Sequence, residues 1–185
     1  LDISAVFTNI KDFHFLAKLT LVSWQLLLSV IALYLLSKIF DFEKALFMML
    51  LLALEPFYIG NSRLLHLDAQ ISLYFIVGLA LSYLAIKKKS PLFSIFTGIV
   101  FGLGALSKSI ALGGLAFGAV TPTILLALNK KFLKALKHSL LVLVSFVVTY
   151  YGLFPALWVD ARGVLTDIFD RSFRVGEIKG HEQIF

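Results

Sequence analysis

Long apolar runs, each ended by lysine, proline or a polar turn, constrain this chain more than any other feature. Residues 19–37, 45–60, 69–86, 91–107, 109–129 and 139–159 are almost free of charge. A helix needs about 17–25 mostly apolar residues to cross the hydrocarbon core of a bilayer. Lipid offers no partner to exposed backbone groups, so such runs cross as helices. The pattern predicts an all-α fold: a polytopic transmembrane helix bundle of about six spans. Composition agrees, with 59% hydrophobic and 15% charged residues among 185, against about 45–50% and 25% in soluble domains. That excludes a soluble enzyme and a disordered chain. The absence of cysteine excludes a disulfide scaffold and thiolate metal sites.

The net charge of +6 would point to nucleic acid in a soluble protein. In a membrane protein it is read through the loops, and no nucleic-acid partner is expected. Turns after the first, third and fifth runs carry Lys38, Lys44, Lys87, Lys88, Lys89, Lys130, Lys131, Lys134 and Lys137, whereas those after the second and fourth carry Arg63 and Lys108. Cations collect on cytoplasmic loops. Both chain ends and the turns near Asn61 and Lys108 are therefore expected to face outside, or into a lumen.

Two stretches are predicted to lie outside the spans. Residues 132–138 are short and Lys-rich, which suits the cytoplasmic surface, with lysines near anionic headgroups. Over residues 160–175, Val164, Leu165, Ile168, Phe169 and Phe173 share one helical face, while Asp167, Asp170, Arg171 and Arg174 fall largely elsewhere. That reads as an amphipathic helix on the outer interface, or as one packed on a soluble domain. The expected division is a transmembrane module over 1–159 and an extracytoplasmic amphipathic segment over 160–185. Gly98/Gly102 and Gly114/Gly118 have the small-xxx-small spacing that lets membrane helices approach closely.

Ionisable groups at membrane depth are costly, about 2.5–3.5 kcal/mol at a helix centre on insertion scales, and so mark candidate sites. Here Glu55, Arg63, His66 and Asp68 fall within one short stretch, and Lys108 lies at the same outer level. Glu55 precedes the helix-breaking Pro56, and an interrupted span is a pointer to a binding site. If the third span is helical from about Ser62, Arg63 and His66 share a face and Asp68 is rotated about 200° from His66. Arg63 suits an anion, because its planar donor fork matches phosphate and stays charged. The plainer readings are that Arg63 and Lys108 snorkel to headgroups, that Arg63 forms an architectural ion pair with Asp68 or Glu55, and that His66 is simply packed. No metal-ligand array and no Walker-type nucleotide loop is present.

The stretch Asn61-Ser62-Arg63-Leu64-Leu65-His66-Leu67-Asp68-Ala69 resembles the S-R-x-x-x-x-D-[AS] motif of the protein O-mannosyltransferases (glycosyltransferase family 39). It is also similar to the aminoarabinose transferases of lipid A. Ala53-Leu54-Glu55-Pro56-Phe57 matches the A-L-x-P-F that often leads into that motif. Residues Gly98 to Lys108 resemble the family's G-x-x-x-G-x-x-x-x-x-K helix, and Phe154-Pro155-Ala156-Leu157-Trp158-Val159-Asp160 its F/W-P-A-x-W-V-D.

The resemblance implies a multi-pass GT-C glycosyltransferase, in a prokaryotic cell membrane or the endoplasmic reticulum, with its active face extracytoplasmic. Such enzymes move one sugar from a polyprenyl-phosphate carrier to an extracytoplasmic protein or glycolipid acceptor, with inversion. It implies that Arg63 binds the carrier phosphate with support from Lys108 and His66, and that Asp68, with Glu55 as a weaker choice, serves catalysis. No cofactor is implied; a divalent cation is compatible with the chemistry, but no residues call for one. The family's general base lies in an outer loop after its first membrane helix, and residues 19–37 match its second. The chain is therefore expected to be a catalytically incomplete fragment, with that base upstream of Leu1. An alternative is a transporter or flippase subunit that binds an anion at the interrupted span; its expected repeats are not seen. A structural membrane subunit is a third reading.

Overall fold

The computed structural model describes residues 10–63, 67–108, 111–128 and 132–174. Every regular element among them is an α-helix: α1 Ile10–Ile39, α2 Phe42–Leu54, α3 Pro56–Arg63, α4 Asp68–Lys87, α5 Pro91–Ser107, α6 Ala111–Leu128, α7 Phe132–Leu153 and α8 Ala156–Arg174. The fold is a helical membrane bundle, as the apolar runs predict. Three helices are long and apolar enough to cross a bilayer, over Asp12–Ile39, Asp68–Lys87 and Phe132–Leu153, while Pro91–Ser107 and Ala111–Val120 are shorter apolar helices.

The second predicted span is divided, and proline is the reason. Proline disfavours the helical region for the residue before it, and Glu55 is extended (φ −67°, ψ 122°). Pro56 then occupies the first position of α3, where its missing N–H costs nothing. The Glu55 carboxylate accepts the Tyr58 backbone N–H and so caps α3.

The expectation that residues 132–138 form a separate surface segment is corrected: they are the first two turns of α7. Leu, Lys and Ala are strong helix formers, so the helix continues where apolarity stops. His138 in this stretch is buried. The chain leaves the helix again at Phe154-Pro155. Within α8, Asp160 is non-helical (φ −146°, ψ 79°) and its Oδ1 accepts the Gly163 N–H at 2.8 Å. It thereby caps the amphipathic stretch that follows; the side chains of Phe169 and of residues 171–174 lie outside the description.

The core is apolar, with Leu73, Val77, Leu84 and Phe101 fully buried, but the surface is apolar as well and polar groups are enclosed within the bundle. Gln25, Gln70, Ser82, Ser94, Thr97, His138 and Ser145 are buried, whereas large apolar side chains such as Leu26, Phe47, Phe57, Leu133 and Val148 are exposed. Exposed apolar surface on this scale marks a lipid or protein partner. At the centre lies α4, packed on α1, α3, α5 and α6, while the most extensive helix pair is α5 with α7.

Glycines set both close approaches. At Gly98 an added Cβ would meet Ser145 Oγ, the Val142 carbonyl and, at 2.8 Å, the Phe146 nitrogen; at Gly102 it would meet Thr149 Cβ at 2.9 Å. The α5 backbone therefore lies directly on α7. Phe101 of α5 is fully buried and its ring sits among three glycines. A Cβ would come 2.5 Å from it at Gly78 and 2.7 Å at Gly114, and would also collide with it at Gly118. Phe75 meets the ring edge-on at 6.2 Å. Truncating a buried Phe to Ala typically costs about 3–5 kcal/mol. Phe101→Ala is expected to fall in that range and to lower the melting temperature in detergent; an unchanged melting curve would refute this packing account.

A buried polar junction ties four helices. Ser82 of α4 donates to the Gly118 carbonyl of α6 at 2.6 Å. His138 Nε2 of α7 lies 3.4 Å from Ser82 Oγ and 3.5 Å from Gly118 O, and its Nδ1 lies 2.9 Å from Ser94 Oγ of α5. Gly118 O only accepts and the Ser82 proton is already committed to it. Nε2 therefore carries the ring hydrogen, and Ser94 donates to Nδ1. In a medium without water, a satisfied junction of this kind fixes helix register.

Candidate active site

Asp68 is the first residue of α4, and Lys108 is the extended residue that closes α5. Antiparallel packing brings these helix ends together, and Lys108 Nζ donates to Asp68 Oδ1 at 2.7 Å. Each charge also suits its helix: an acid at the positive N-terminus and a cation at the negative C-terminus. The side chains are 30% and 46% exposed respectively. Exposed ion pairs contribute only about 0.2–1 kcal/mol, so stability alone is a weak account of this one. It holds a carboxylate and an ammonium at one end of the bundle, where α4 begins and α5 closes.

Arg63 is the last residue of α3. Its side chain and all of His66 lie outside the described residues. The condition of one unbroken helix from Ser62 through Asp68 is not met, because Leu67 is a bend (φ −90°, ψ 0°) from which α4 starts. Within α3, Asn61 Nδ2 donates to Phe57 O and Ser62 Oγ to Ile59 O, each at 2.9 Å. Four residues lie between Arg63 and Asp68, and the five links joining them limit their Cα separation to about 18 Å. Glu55 is exposed and engaged in capping α3. The structure thus joins Asp68 with Lys108 and gives Glu55 an architectural task.

Sequence reasoning missed a second polar cluster one turn into the bundle. Trp24 Nε1 of α1 donates to the Tyr74 hydroxyl at 2.7 Å, and the buried Gln70 amide lies 3.1 Å from the same oxygen. Gln70 Oε1 is buried without a partner among the described residues. Turning the amide over would let Tyr74 donate to Oε1 but would strand the amide nitrogen instead. The available signal was the polarity of Gln70 inside an apolar run. Among the described residues, no group of three or more His, Cys, Asp or Glu side chains is placed to hold a metal ion.

No curated protein and no solved structure is found to match the chain. A family model described as dolichyl-phosphate-mannose-protein mannosyltransferase matches residues 3–151. That range holds Glu55, Arg63, His66, Asp68 and Lys108, and stops short of residues 154–160. The match covers most of the bundle and both partners of the ion pair at its mouth, and the chain belongs to the dolichyl-phosphate-mannose-protein mannosyltransferase family.

Proposed function

We propose that this chain is the part of a membrane glycosyltransferase that grips the phosphate of a polyprenyl-linked sugar and passes the sugar to an acceptor hydroxyl outside the cytoplasm. The observation that carries the reading is the Asp68–Lys108 pair, 2.7 Å long, at the same bundle mouth where α3 ends in Arg63. In the reaction the acceptor oxygen attacks the anomeric carbon from the face opposite the leaving group. The bond from that carbon to the phosphate oxygen breaks, the configuration inverts, and the hydroxyl proton passes to a carboxylate.

Charge grows on the departing phosphate, so a fixed cation aimed at it lowers the barrier more than it aids ground-state binding. Arg63 fills that role, with His66 beside it in the chain. Lys108, engaged with Asp68, acts first by orienting the carboxylate. The nine lysines counted in the sequence after the first, third and fifth apolar runs support the orientation in which this end faces away from the cytoplasm.

The test is sugar transfer by the purified full-length enzyme that carries this chain, from a polyprenyl-phosphate-linked mannose, with a nucleotide-linked mannose as the control donor. Transfer from the lipid donor only is expected; transfer from the nucleotide donor with none from the lipid would overturn the proposal. In the same assay Asp68→Asn is expected to lower kcat about tenfold or more, since a carboxylate that positions or accepts a proton contributes at least that much. A change below about twofold would leave Asp68 a packing residue.

A further inference from the structure

At the opposite end of α4 lies a cavity of about 250 Å³ that the glycosyltransferase reading does not use. The 20 residues of α4 put it about 30 Å from Asp68. Its polar lining is Lys89, Ser90, Ser94, Lys134, Lys137 and His138, and Ile86, Pro91 and Leu141 supply apolar wall. Among the described residues these three lysines have no acidic partner, whereas Lys44 is paired with Asp41 at 2.6 Å. Lys87 and Lys88 lie over the Tyr83 and Phe93 rings at 5.8 and 5.7 Å, so only Lys89 of that triplet turns to the cavity.

Backbone conformation sets Lys89 apart. After α4 the chain makes a Schellman turn: Lys89 N–H bonds Ile86 O at 3.3 Å and Ser90 N–H bonds Ala85 O at 3.2 Å. The turn requires a left-handed residue, usually glycine, and here it is Lys89, at φ 52° the one non-glycine residue with positive φ among those described. An L-residue is strained there, and such strain at a cavity wall points to function.

Electrostatics agree. The cavity lies at the N-terminus of α5, where the capping residue Ser90 makes no side-chain cap bond, and beside the first two turns of α7. Both helix starts are positive dipole ends, and lysines there repel rather than complement the dipole. An anion resolves all of these conflicts together.

We propose that this cavity binds the phosphate of an anionic lipid headgroup from the leaflet on the Lys-rich face, held by Lys89, Lys134 and Lys137 with its acyl chains against Ile86 and Leu141. A basic cavity between helices at this level is the usual form of headgroup recognition. Its junction residue His138 reaches Ser94, Ser82 and Gly118 from the cavity wall, so occupancy braces α4 to α7.

The probe is short-chain phosphatidylglycerol added to the detergent-purified protein, read as melting temperature against lipid concentration, with phosphatidylcholine as control. Saturable stabilisation by phosphatidylglycerol alone is expected. Lys89→Gly and the double variant Lys134→Gln/Lys137→Gln should each weaken the apparent affinity at least about fivefold. Lys89→Gly should melt no lower than wild type without lipid, because glycine relieves the left-handed strain; a purely structural Lys89 would give that result with unchanged lipid affinity. Lys87→Gln should leave affinity within about twofold. Equal response to phosphatidylcholine, or wild-type affinity in both lysine variants, overturns the proposal. Full stabilisation by millimolar glycerol phosphate, with nothing added by acyl chains, overturns the lipid assignment in favour of a free phosphate.

Discussion

Arg63→Ala is expected to lower sugar transfer from the polyprenyl-phosphate donor by about 10²–10³-fold, while the protein still inserts and melts normally. Removing one preorganised group that meets charge developing in the transition state costs about 2.7–4 kcal/mol, and in the proposed reaction that charge develops on the departing phosphate. The effect should fall mainly on kcat, because a guanidinium that grips the carrier equally before and during reaction would change KM alone. Arg63→Lys should recover part of the loss: it restores the charge but not the two-pronged donor geometry. Steady-state kinetics of the three proteins decide the matter. Turnover in Arg63→Ala within about threefold of wild type would remove Arg63 from the mechanism.

The second large effect is structural. Gly98→Val is expected to leave almost no folded protein, because the new side chain must occupy space held by the Val142 carbonyl and the Phe146 nitrogen. Overpacking usually costs about 1–3 kcal/mol when side chains can turn aside. Main-chain atoms of a neighbouring helix cannot do so, and α5 would have to lift off α7 along its length. Gly113→Ala is the matched control. A Cβ there meets nothing within 4 Å, and alanine is favoured over glycine in helices by about 0.5–1 kcal/mol. Yield and melting temperature in detergent should separate the two variants clearly; similar behaviour would show that the close α5–α7 approach is not needed.

Much of this architecture is legible in the residues. Residues 91–107 were delimited by Pro91 at one end and Lys108 at the other, and the helix has those bounds. For residues 69–86 the helix adds one residue at each end. The errors share one cause, which is that apolarity and helicity are different properties. Helix α1 starts at Ile10, well before the uncharged run, because Lys11, Asp12 and Lys18 end a membrane signal without ending a helix. The same holds for residues 132–138, where reading the period backwards from Val142 and Ser145 through His138 to Ala135 would have revealed a single buried face.

At the mouth, Asp68 and Lys108 could be named from charge in an apolar chain, but not paired. They lie 40 residues apart, and only the packing of α4 on α5 joins them. Lys89 was counted as one more loop cation, since no periodicity reports the sign of φ. The Pro56 break was visible, whereas the use of Glu55 as the cap of α3 required coordinates.

The Phe101 ring has a mechanical consequence. Seated in notches from α4 and α6 while anchored on α5, it acts as a key that forbids these three helices from sliding past one another. The His138 junction adds α7 to the same set of ties. If the proposed lipid carrier enters the bundle, the joints suited to that motion are Glu55-Pro56 and Phe154-Pro155, where the main chain departs from the helix.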